Sequence, residues 1–121
     1  MLKKILITIL AAGTLVAVYA KTVGLGWNSY SDPAVNIIKV YIAPGTNAFV
    51  AGGPAQANAS VSGLITTNVS STATSVTINV PFSGAWSAVV TAVTSVGVES
   101  FNSNLASTNL APGAPINLGF R

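Results

Sequence analysis

Residues 74–104 constrain the fold more than any other stretch of this chain. Thr74-Ser75-Val76-Thr77-Ile78-Asn79-Val80 alternates polar and apolar side chains, the period of a half-buried strand. Pro81-Phe82-Ser83-Gly84 breaks the run at a corner. Trp86-Ser87-Ala88-Val89-Val90-Thr91-Ala92-Val93 then forms a second, longer strand, and the loop Gly97-Val98-Glu99-Ser100 closes on Ser103-Asn104.

The rest of the chain reads the same way. Val23-Gly24-Leu25-Gly26-Trp27 alternates large and small with period two. Residues 28–33 are a turn cluster that ends on Asp32-Pro33, a turn starter. Residues 35–42 are rich in β-branched side chains and are broken by Pro44-Gly45. Residues 48–60 are small and irregular, with Gly52-Gly53-Pro54 as a further breaker, and residues 61–69 have room for one or two short strands. No stretch after residue 22 has a helical period. Short strands at a spacing of roughly 8–12 residues are the pattern of an all-β, antiparallel sandwich.

Composition narrows the chemistry. The 121 residues include no His and no Cys, and the only carboxylates are Asp32 and Glu99. Histidine is the commonest acid–base group, and Cys and His supply most tight transition-metal ligands. The sequence therefore points to no catalytic site, no cofactor and no metal. Without cysteines, no disulfide supports the core.

Residues 1–20 are a separate segment. Lys3-Lys4 precede an apolar stretch, and Val18-Tyr19-Ala20 places small residues at −3 and −1 of a signal-peptidase site, with Lys21 as the new N-terminus. The expectation is a secretory signal. The rival reading is an uncleaved, helix-like anchor, although residues 5–20 are short against the roughly 20 residues of a membrane span. Residues 21–121 then carry three positive charges, Lys21, Lys39 and Arg121, against two negative ones. No basic patch interleaved with aromatics is present, so nucleic acid is not an expected partner. Membrane contact is expected only through residues 1–20, if they are retained. Little charge repulsion would keep copies apart.

Residues 23 to about 109 resemble a fibronectin type III domain of the bacterial and bacteriophage type, an immunoglobulin-like antiparallel β-sandwich. In that resemblance Val23, Leu25 and Trp27 correspond to strand B. Asp32-Pro33 falls in the BC loop, Ile38-Lys39-Val40-Tyr41 in strand C, residues 74–80 in strand E and residues 86–93 in strand F. Val80 lies six residues before Trp86, the spacing of the family's Leu and the tyrosine of its EF corner. Trp stands in that tyrosine position. The hydroxyl bond that pins such a corner is therefore either missing or replaced by the indole N–H. The family's A strand has no counterpart before Val23, and residues 48–71 are the least family-like.

The implied organisation is a signal or anchor segment (1–20), a sandwich (21–110) and a Pro-rich tail (111–121) with a possible A-type strand. In the tail, Ile116, Leu118 and Phe120 alternate with Asn117 and Gly119. Three fates are open to it. It completes its own sandwich, donates a strand to a neighbouring copy, or frays.

The candidate contact residues are Tyr30, Asp32, Glu99 and Phe101, because loops carry function on such scaffolds. Tyr41 and Phe49 are further aromatic candidates for surface contact, and the alternative for most of these aromatics is a partly buried packing role. Asp32 and Glu99 belong to loops at one end of the sandwich, but two lone acids make a poor calcium cage and a sparse glycosidase pair. The two tryptophans are read as core. The expected function is a non-enzymatic structural or adhesive subunit, secreted or exposed on a virion as a decoration or fibre component. Its expected partners are copies of itself or other virion or surface proteins. The alternative is a secreted bacterial surface module that binds carbohydrate or protein.

Overall fold

A computed structural model describes residues 21–113 together with Gly119 and Phe120. The segment read as signal or anchor, and Ile116 and Leu118 of the tail, lie outside the described residues. Six strands follow in order: β1 (Lys21–Gly26), β2 (Val35–Pro44), β3 (Ile65–Ser70), β4 (Ser75–Val80), β5 (Gly84–Thr94) and β6 (Ala106–Leu110). A 3₁₀ helix, Ala55–Ser60, lies between β2 and β3. None of the described helices is long and apolar enough to cross a membrane.

The strands form two antiparallel sheets. One pairs β1 with β4, from Lys21 opposite Val80 to Gly26 opposite Ser75. The other has the order β3-β2-β5-β6. Val23, Ile78 and Val80 of the first sheet share one buried cluster with Val40, Ile42, Trp86 and Ala88 of the second. The sheets therefore enclose a common core, an arrangement compatible with a β-sandwich. A register shift between Val35 and Ile37 moves Val35 onto the face of Ile38 and Ala92, where the three form a satellite cluster.

The corner between β4 and β5 resolves the question raised by Trp86. Its indole N–H donates to the Phe82 carbonyl at 3.0 Å, and the two rings sit 5.0 Å apart. The indole thus ties the start of β5 back to the corner four residues earlier. Gly84 enters β5 at φ 115°, a left-handed conformation that a side chain would strain.

The second face of the four-stranded sheet is also covered. Tyr41, Ala43 and Val89 point away from the common core and pack against Phe49, with Ala48, Val61 and Leu64 around them. These covering residues belong to the segment between β2 and β3, which runs back over the sheet. The Ala48 N–H donates to Ser87 Oγ at 3.0 Å and ties the segment down. Tyr41 and Phe49, taken from sequence as candidates for surface contact, are buried there. Two elements were not expected from the sequence. They are the 3₁₀ helix within the irregular residues 48–60 and the edge strand β6.

Candidate functional site

The first candidate is the edge of β1. The Trp27 N–H donates to the Thr74 carbonyl at 2.9 Å, continuing the β1–β4 register by one residue. Along a strand, alternate residues aim their backbone groups to the same side. Lys21, Val23 and Leu25 therefore bond towards β4, and Thr22, Gly24 and Gly26 turn their N–H and C=O groups to the opposite side. Among the described residues, β4 is the only strand partner of β1.

A groove runs alongside that edge, between β1 and the β5–β6 edge of the other sheet. Among the described residues it includes three adjoining depressions of about 190, 90 and 270 Å³. The first is floored by Leu25, Ile42, Trp86, Ala88 and Leu110. The second shares Leu25 and Ala88 with the first and adds Trp27 and Val90. The third continues past Trp27 to Tyr30, Ile38 and Phe101. The walls are apolar because the inner faces of both sheets reach the surface here. Trp27 is half-buried at the junction, and its indole N–H is satisfied by the Ala73 carbonyl at 2.8 Å.

The second candidate is the loop end. The Ser95 N–H donates to the Ala34 carbonyl at 3.3 Å, which brings the loop after β1 beside the loop after β5. Tyr30 is 46% exposed and Phe101 72%, and Val96 and Val98 are also exposed. Asp32 caps its own turn, because its carboxylate accepts from the Ala34 N–H at 3.0 Å and its carbonyl from the Val35 N–H. Glu99 faces elsewhere. It accepts from the Tyr41 hydroxyl and, at 2.6 Å, from Thr91 Oγ1. The structure therefore gives the two carboxylates separate partners. No group of three or more potential metal ligands occurs among the described residues. Phe120 is fully exposed.

The Tyr41–Glu99 contact belongs to a polar layer beneath the covering segment. Burial pushes the Tyr41 hydroxyl well above its ordinary pKa, and the Glu99 carboxylate, as hydrogen-bond acceptor and as charge, adds to the rise. Lys39 Nζ sits 5.4 Å from the centre of the Tyr41 ring. Nearby, the Asn58 and Asn102 amides bond reciprocally at 2.8 and 3.0 Å, and Asn102 also donates to the Val50 carbonyl. This pair fastens the 3₁₀ helix to the loop after β5. Sequence reasoning missed it, and no local signal marks a partnership between residues 44 positions apart.

Comparison with protein-family models, with curated proteins and with solved structures returned no match. The geometry offers surfaces for contact. It presents a row of backbone donors and acceptors that has no strand partner among the described residues, an apolar groove beside that row, and exposed aromatics at one end.

Proposed function

We propose that this chain is a non-enzymatic structural or adhesive subunit built on a fibronectin type III-like sandwich. The open β1 edge with its apolar groove carries this reading, because an unpaired edge left bare would template unwanted pairing. A subunit in an assembly has a use for it. The strand positions support the family assignment. β1, β2, β4 and β5 stand where the resemblance puts strands B, C, E and F, and the position of an A strand beside β1 is vacant among the described residues. The near absence of charge suits close packing of many copies, as on a virion surface or fibre. Export is proposed from residues 1–20.

Sedimentation of the exported full-length chain across a range of concentrations tests the reading. A subunit associates into species larger than one copy, and a strictly monomeric protein overturns it. One observation favours a second reading. Tyr30 and Phe101 flank the 270 Å³ depression that Trp27 also lines, an arrangement able to stack on a sugar face. A monomer whose tyrosine and tryptophan fluorescence responds to oligosaccharides would replace the subunit with a surface-binding module.

A further inference from the structure

We propose that the open edge of β1 accepts the C-terminal segment of a second copy of this chain, paired antiparallel, with Ile116, Leu118 and Phe120 filling the groove. The proposal rests on the subunit reading above and names its partner. Three observations carry it, and they concern pattern, direction and register.

The pattern matches the site. Val23 and Leu25 lie on the inner face of β1, and Thr22, Gly24 and Gly26 lie on the exposed face. An added strand needs apolar side chains on alternate positions to continue the inner face and small or polar ones between them. Residues 116–120 read Ile-Asn-Leu-Gly-Phe, which meets both requirements.

Direction separates a neighbour's tail from the chain's own. A Cβ added at Gly113 would lie 3.7 Å from Lys21 Nζ, so the described chain leaves the sheets at the N-terminal end of β1. From there its own following residues would run along β1 in the same direction and pair parallel. Every described strand pair in the molecule is antiparallel. Parallel pairing is slightly weaker per residue, and lone parallel pairs are unusual beside antiparallel sheets. A tail from a second copy enters from the Gly26 end and pairs antiparallel.

Register follows from Pro115. Proline has no N–H for a ladder, and the outward-facing groups of β1 belong to Thr22, Gly24 and Gly26. Setting Asn117 against Gly26 and Gly119 against Gly24 leaves Pro115 beyond the end of β1. Ile116, Leu118 and Phe120 then stand opposite Trp27, Leu25 and Val23. Each copy gives a strand at one surface and receives one at another, so the contact builds a reciprocally exchanged pair, a ring or a filament.

Disulfide trapping tests this directly, because the chain has no cysteine of its own. Gly24 and Gly119 have no atom within 4 Å of an added Cβ, so both accept substitution. As a hydrogen-bonded antiparallel pair their Cα atoms would be about 5.5 Å apart, within disulfide reach. Full-length G24C and G119C chains, exported separately and mixed under mild oxidation, should yield a covalent heterodimer. Peptide mapping should place its bridge between positions 24 and 119. A doubly substituted chain that instead closes on itself as a monomer overturns donation in favour of self-completion, and absence of any 24–119 bridge overturns pairing at this edge. Deletion of residues 115–121 separates the two readings. Assemblies that survive the deletion refute strand donation and leave the subunit reading standing. A parent chain that is itself monomeric refutes both.

Discussion

The two sheets obey different burial rules, and the difference explains most of the molecule. In β1 and β4 the buried positions alternate with exposed ones, because one face meets the core and the other meets solvent. In β2 the run Val40-Tyr41-Ile42-Ala43 is buried without a break. There Val40 and Ile42 face the common core, and Tyr41 and Ala43 face the covering segment. A strand covered on both faces loses its alternation in the sequence. The sheet that keeps the alternation is also the one whose β1 edge has no strand partner among the described residues. Double-sided burial thus belongs to the four-stranded sheet, and the contact surface proposed above lies along the two-stranded one.

The largest expected effect breaks the core that the sheets share. Trp86 is 1% exposed and packs against both. Trp86→Ala should cost about 3–5 kcal/mol, a large part of a typical domain's stability. Urea denaturation measures this, and a loss below about 1 kcal/mol would mean the sheets do not depend on one another through this residue. Trp27→Ala, at the half-buried rim of the groove, should cost less.

A smaller effect separates the covering segment from the sheet beneath it. Asn58→Ala removes one half of the reciprocal amide pair and leaves Asn102 with a buried, unmatched group. The expected cost is about 1–3 kcal/mol. Hydrogen exchange should accelerate in residues 45–64 while β1 and β4 stay as protected as before. Equal acceleration in both sheets would show that the cover is not a separate layer.

A comparable effect at neutral pH comes from Tyr41→Phe, about 1.5–3 kcal/mol for the lost hydroxyl bond to the Glu99 carboxylate. Its pH dependence is more telling. The folded-state pKa of Tyr41 is raised above the ordinary value of 10.0. Its contribution is therefore complete below about pH 10 and is lost as pH climbs from there towards the folded value. The parent should lose stability in that alkaline window, and Tyr41→Phe should lose less. Thermal melts between pH 8 and pH 11 check this, and parallel curves for the two proteins would remove Tyr41 from the account.

The legible parts of the sequence are those with a one-sided environment. β1, β4 and β5 are visible because their apolar residues recur with a fixed period or fill a long run. The place of Trp86 at a corner was suggested only by the resemblance to the fibronectin type III pattern, and the structure shows its indole bonded to the Phe82 carbonyl. β6 was not legible. Ala-Ser-Thr-Asn-Leu has almost no buried residue, and its strand character comes from its pairing with β5. The 3₁₀ helix was hidden for a related reason, since it is held by Asn58 reaching Asn102 and not by a local period. Among the candidate contact residues, Tyr30 and Phe101 lie exposed at one end of the molecule. Asp32 and Glu99 turn out to be engaged within the chain. The bond of Glu99 to Tyr41 spans 58 positions and leaves no mark in either local sequence.

The covering segment has an evolutionary consequence. β2 and β3 are adjacent and antiparallel, with Ile42 directly opposite Ile65, so a turn of about two to five residues would join them. This chain uses residues 45–64 instead. Connector length and side-chain polarity are therefore coupled traits. A descendant that shortened the connector would bare Tyr41, Ala43 and Val89 to water, and only replacement of those positions by polar residues would make the deletion tolerable. Among diverging sequences of this kind, short connectors should travel with hydrophilic residues at 41, 43 and 89, and long ones with the apolar set seen in this protein.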